Sequence, residues 1–161
     1  MEMQNLSEIE REIWIKFHEF AYKDDLKLAE SIKETNPRWS IIAGYYAMHD
    51  IAKLYLGKVH NIKISGKFIH AKTIRALKQV FKGKEEQERI LKLLEEADRE
   101  IKEIGAEQIP YLLSAGKTER GKSQYYPSKV LTDNEEYKKK ANCFFDSIVK
   151  VFINIMEKLI C

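Results

Sequence analysis

Residues 39–56, WSIIAGYYAMHDIAKLYL, constrain the fold of this chain more than any other stretch. The segment has the length of an α-helix and apolar side chains on nearly every side. A helix with one apolar stripe lies on a surface, whereas one that is apolar all round must be enclosed by other helices. The chain therefore reads as all-α, an up-and-down bundle of four or five helices built round this segment. The reading covers residues 1–161 as a single domain, a size that buries a core without disulfides or metal. Only 7 glycines and 3 prolines are present against abundant Lys, Glu, Leu and Ile, which disfavours a turn-rich β fold.

Caps and periodicity place the other helices. Ser7 and Glu10 form a capping box, and Ile9, Ile13, Phe17, Phe20 and Ala21 follow at helical spacing as the expected core stripe. This first helix can continue through Leu26, Ala29 and Ile32 to Glu34. Asn36-Pro37 then starts the central helix, which Gly57 is expected to close. Residues 58–67 read as a loop. A short helix over residues 70–81 buries Ile74, Leu77 and Phe81. A fourth, over residues 85–104, carries the seam Ile90, Leu94, Ala97, Ile101 and Ile104. Residues 110–131 read as a long loop, and Thr132 with Glu135 caps a last helix whose core face runs from Tyr137 to Met156.

Charge is unevenly spread. The formal net charge is +3, yet residues 51–84 hold 9 basic residues and no acidic one. Such a segment attracts phosphates of nucleotides or nucleic acid. It can equally be a solvated face that pairs with the acidic fourth helix beside it. His70 and Lys72 stand at a helix start where main-chain N–H groups are free for an anion, with Arg75 one turn on. His49, mid-helix among tyrosines, reads as a hydrogen-bonded core histidine. In the long loop, Lys117, Arg120, Lys122, Tyr125 and Tyr126 can grip a phosphate and stack a base, or the tyrosines can anchor the loop to the bundle.

Other chemistries lack their signatures. No HExxH, CxxC or His/Cys cluster at ligand spacing occurs, so no metal and no cofactor is expected. There is no Gly-rich phosphate loop and no nucleophile elbow. Cys143 and Cys161 form no disulfide framework, the N-terminal segment does not read as a signal peptide, and no apolar run reaches a membrane-spanning length. The expected location is cytoplasmic.

The order GYYAMHDIAKLYLGK, a basic loop, HAKTI, then RGKSQYY before a last amphipathic helix resembles the HEPN domain over residues 24–161. The resemblance implies an α-helical bundle that dimerises and works in toxin–antitoxin, defence or RNA-processing systems, often beside a nucleotidyltransferase partner. Catalytic members of that family are metal-independent ribonucleases with an Arg-x(4–6)-His motif. Their arginine binds phosphate and their histidine supports attack by the ribose 2′-hydroxyl. Here Tyr125 stands in the histidine slot after Arg120, and a phenol with a pKa near 10 is a poor base at neutral pH. Arg11 and His18 match the spacing but lie outside the matched region, and read as chance. The resemblance therefore implies a non-catalytic or catalytically divergent HEPN-like protein, binding nucleotide, RNA or a nucleotidyltransferase as a dimer. Arg120, Lys122, Tyr125 and Tyr126 would form its polar site, with His70, Lys72 and Arg75 as further phosphate contacts. The alternatives are a metal-independent endoribonuclease using Arg120 and a plain helical interaction module.

Overall fold

The computed structural model describes residues 3–105 and 134–161. They form an all-α helical bundle, with helices α1 (Glu8–Ser31), α2 (Pro37–His60), α3 (Ile69–Val80) and α4 (Glu85–Glu103). A last continuous run comprises α5 (Asn134–Phe144), a π-helical turn (Phe145–Val149) and α6 (Lys150–Ile160). Two-residue strands β1 (Gln4–Asn5) and β2 (Ile62–Lys63) pair antiparallel, Gln4 opposite Lys63 and Asn5 opposite Ile62. The expected loop after α2 thus contains a small ladder. Lys63 reinforces it with a 2.7 Å ion pair to Glu10, which with the Ser7 hydrogen bonds pulls the Glu10 carboxyl down to about 2.

Helix α2 is the central element and touches every other helix among the described residues. Its residues from Ser40 to Gly57 are buried apart from Tyr46. Each fully buried Ile, Leu or Met there stabilises the fold by about 1.5–3 kcal/mol. Pro37 starts it, as the sequence predicts. Its end is different. The helix runs past Gly57 to His60 and closes at Asn61, which adopts the left-handed conformation.

Gly57 owes its identity to a neighbour instead. A Cβ there would strike the Trp14 indole ring, which donates from Nε1 to the Lys53 carbonyl at 2.9 Å. Gly44 plays the same part on the other side, where a Cβ would lie 2.9 Å from Val149 in the π-helical turn. Two glycines therefore let α1 and the last helical run approach α2 closely.

Helix α4 buries its whole expected seam, Ile90, Leu94, Ala97 and Ile101, with Ile104 just beyond its end. Phe144, Phe145, Ile148, Phe152, Ile153 and Met156 are buried as expected. Helix α1 departs from its expectation. The capping box is present, with Glu10 N–H donating to Ser7 Oγ at 3.3 Å and Ser7 N–H donating to Glu10 at 3.0 Å. The stripe Ile9, Ile13, Phe17 and Phe20 nevertheless faces outward and is 62–76% exposed. His18, Tyr22 and Ala29 are buried in its place. No helix among the described residues is long and apolar enough to cross a membrane.

Candidate functional site

A chain of polar side chains links three helices inside the bundle. His49 and Tyr45 are one turn apart on α2, His70 is in the first turn of α3, and Asp98 lies on α4. The His49 and His70 rings stack with centroids 4.1 Å apart and 25° between planes. His49 Nε2 reaches Asp98 Oδ1 at 3.3 Å, and Tyr45 Oη reaches His70 Nδ1 at 3.0 Å. The Tyr45 hydroxyl also hydrogen-bonds the Asp98 carboxylate.

Counting donors fixes the proton positions. A carboxylate only accepts, so His49 Nε2–H and Tyr45 O–H both donate to Asp98. The tyrosine has then spent its one proton, and its oxygen accepts from His70 Nδ1–H. A neutral His70 therefore keeps its lone pair on Nε2. His49 Nδ1 is left buried without a hydrogen-bond partner.

The surroundings keep both rings neutral. Burial holds His49 below the ordinary histidine range, opposed by Asp98, and pushes His70 down to about 3 with help from His49 and Lys53. Burial works against the Asp98 charge, but hydrogen bonds from His49 and Tyr45 outweigh it and hold the carboxyl below its usual range.

This network floors a cleft of about 340 Å³ between α3 and α4. Tyr45, His70, Ile74 and Asp98 line it, and Arg75, Lys78, Glu95 and Lys102 stand at its rim. Lys78 is joined to Glu95 at 3.0 Å, so part of the basic segment does pair with the acidic helix. Arg75 and Lys102 have no carboxylate partner among the described residues. Of the sequence-derived candidates, His70 and Arg75 meet here. Lys72 turns away and donates to the Ser65 carbonyl at 2.9 Å. Arg120, Lys122, Tyr125 and Tyr126 lie outside the described residues. His60 is also accounted for, bonded to the Tyr55 hydroxyl at 2.9 Å. Tyr45, Asp98 and Lys102 were not singled out by sequence. The only signal was physical: a polar pair one turn apart on an enclosed helix must find partners on another element.

A second buried network joins α1 to α2. His18 Nδ1 is 2.8 Å from Asp50, and Lys53 lies 4.0 Å from the same oxygen. Arg11 on the same helix as His18 donates to the Lys58 carbonyl at 2.7 Å. Burial, with the Asp50 and Asp24 charges and a hydrogen bond to Asp50, pushes the half-buried Asp25 up to about 6. Folded chains hold this proton above pH 4, where unfolded chains have lost it. Stability from this group therefore falls as pH rises from about 4 to 6. Asp25→Asn keeps a donor towards Asp50 at every pH. It should stabilise the protein by about 1–2 kcal/mol at pH 8, after discounting for solvent, and by nearly nothing at pH 4. Urea unfolding at the two pH values measures the difference.

Among the described residues no group of three or more His, Cys, Asp or Glu side chains is arranged to hold a metal ion. Comparison with protein-family models, curated proteins and solved structures finds no match.

Proposed function

We propose that this chain is a HEPN-like helical protein that binds a phosphate-bearing ligand, a nucleotide or RNA, at the α3–α4 cleft without cleaving it. The observation that carries the reading is a polar cleft with Arg75 and Lys102 at its rim, neither with a carboxylate partner among the described residues, and a His70–Tyr45–Asp98 network at its floor. Arginine and lysine at the rim supply charge-assisted donors for phosphate. The floor offers hydrogen-bonding edges for a base or ribose. A histidine held near 3 is poorly matched to proton abstraction at neutral pH, which favours binding over catalysis. The toxin–antitoxin or defence setting and a nucleotidyltransferase partner follow from the sequence resemblance alone.

Fluorescence anisotropy with a labelled single-stranded RNA, and competition by ATP, tests the reading. Binding should weaken steeply between about 50 and 200 mM salt. Arg75→Ala should weaken it about tenfold and lower the salt slope by about one. Lys72→Ala, whose ammonium is engaged at Ser65, should matter less. Affinity indifferent to salt and to Arg75→Ala removes the proposal. RNA cleavage without metal that disappears in Arg120→Ala replaces it with the ribonuclease alternative.

A further inference from the structure

The outward stripe of α1 needs a reason. Ile9 is 76% exposed, Ile13 63%, Phe17 62% and Phe20 70%, and Leu28 extends the line. Beside the stripe, Trp14, His18, Ile64 and Ile69 help to line an apolar groove of about 420 Å³ that Ile13 and Phe17 border. Isolated surface hydrophobics are ordinary, but a contiguous helical stripe opening onto a groove marks an interaction surface. The four side chains leave on the order of 500 Å² per copy, so two copies together approach the roughly 1,000 Å² that a specific interface requires.

The charges beside the stripe identify the occupant. One flank carries Glu8, Glu12, Lys16, Glu19, Lys23 and Lys27, spaced by four, four, three, four and four residues along one face. All six are exposed. Their signs invert about the midpoint between Phe17 and His18. Glu8 mirrors Lys27, Glu12 mirrors Lys23, and Lys16 mirrors Glu19. When two copies of a helix pack antiparallel, each flank faces the same flank of the other copy. Every mirrored position then meets an opposite charge, in three pairs repeated by the two-fold axis. In a parallel pair this flank would face the other one, where Glu10, Trp14, Ala21 and Leu28 provide no cation. Within one copy, Glu12–Lys16 and Glu19–Lys23 are exposed pairs at 3.0 and 3.3 Å, weak contacts that leave carboxylate oxygens open to a second cation.

We infer that α1 pairs antiparallel with α1 of a second copy of this chain, centred between Phe17 and His18, as a two-fold symmetric dimer. The same register brings the apolar residues together. Phe17 lies beside the axis against the partner's Phe17. Phe20 falls at the level between the partner's Ile13 and Phe17, at the mouth of the apolar groove. Leu28 falls near the partner's Ile9. The inference does not depend on what the α3–α4 cleft binds.

Sedimentation equilibrium across micromolar concentrations, with helicity checked by circular dichroism, provides the test. The native chain should be a dimer, and Phe17→Asp with Phe20→Asp should be a folded monomer. Glu12→Lys alone, or Lys23→Glu alone, should weaken the dimer at least tenfold. Mixing these two single variants should restore association, because each then supplies what the other lacks. The double reversal Glu12→Lys/Lys23→Glu within one chain should restore it too. Direction is read by oxidation in a Cys143→Ser/Cys161→Ser background. Phe17→Cys should cross-link, whereas Ile9→Cys, about 25 Å along the axis from its own copy, should not. A native monomer at every concentration, no rescue by mixing, or cross-linking of Ile9→Cys as readily as Phe17→Cys would overturn the inference.

Discussion

Asp98→Ala is expected to destabilise the protein by about 3–4 kcal/mol at neutral pH, measured by urea unfolding. The carboxylate accepts from His49 and Tyr45 at once. Its loss leaves His49, which is 0% exposed and already has an unpartnered Nδ1, with no hydrogen bond on either ring nitrogen. Each buried polar group left unsatisfied costs about 1–3 kcal/mol, and the Tyr45 hydroxyl must find a new acceptor. Asp98→Asn retains an acceptor oxygen and should recover at least half of the loss. A change within about 0.5 kcal/mol for Asp98→Ala would show that the carboxylate does not satisfy the stacked histidines.

The same network sets the acid limit of the fold. Unfolded chains take up protons on both histidines as pH drops below about 6.5, while in the folded chain His70 resists protonation down to about 3 and burial holds His49 below the ordinary range as well. Stability therefore declines as pH falls through this interval. His70 alone, discounted for its half-exposed position, contributes about 2 kcal/mol between pH 7 and pH 4, and buried His49 acts in the same direction. Asp25 acts in the opposite direction over part of the range, but by about 1–2 kcal/mol. The histidines prevail, and maximal stability falls near neutrality. NMR should find the His70 ring not titrating above pH 5 and the His49 ring titrating below the ordinary histidine range.

How far the fold could be read from sequence differs between helices for physical reasons. The single seam of α4 and the enclosure of α2 are direct consequences of where apolar residues can go, and both are present. Helix α1 carries two faces able to be buried. Trp14, His18, Tyr22 and Ala29 face α2, and Ile9, Ile13, Phe17 and Phe20 face outward. Periodicity identifies a face but cannot say which neighbour arrives to cover it. The more apolar face was the natural choice from sequence, and the chain instead buries one containing His18, because Asp50 on α2 is there to bond it. The α3–α4 site was partly legible through His70 and Arg75. Tyr45 and Asp98 were not, since their roles come from contacts between helices far apart in sequence.

Gly57→Ala should cost about 2–3 kcal/mol, although alanine is the better helix former by about 1 kcal/mol. The new methyl meets the Trp14 indole and lies 3.2 Å from Leu6, so α1 and the β1–β2 ladder must move away from α2. Overpacking of this kind costs about 1–3 kcal/mol, and the displaced indole loses its hydrogen bond to the Lys53 carbonyl, worth about 1 kcal/mol more. The decisive comparison is made without the indole. In a Trp14→Ala background the two closest contacts are gone, and the next is the end of the flexible Leu6 side chain at 3.2 Å. Gly57→Ala should then become neutral or stabilising by up to about 1 kcal/mol, and the sign of its effect reverses. A glycine needed to end the helix would behave differently, because an alanine there would be destabilising with or without Trp14. The reversal also bears on self-association. Trp14 helps to line the groove beneath Ile13 and Phe17, so displacing it in Gly57→Ala alone should weaken the α1 pairing together with the fold.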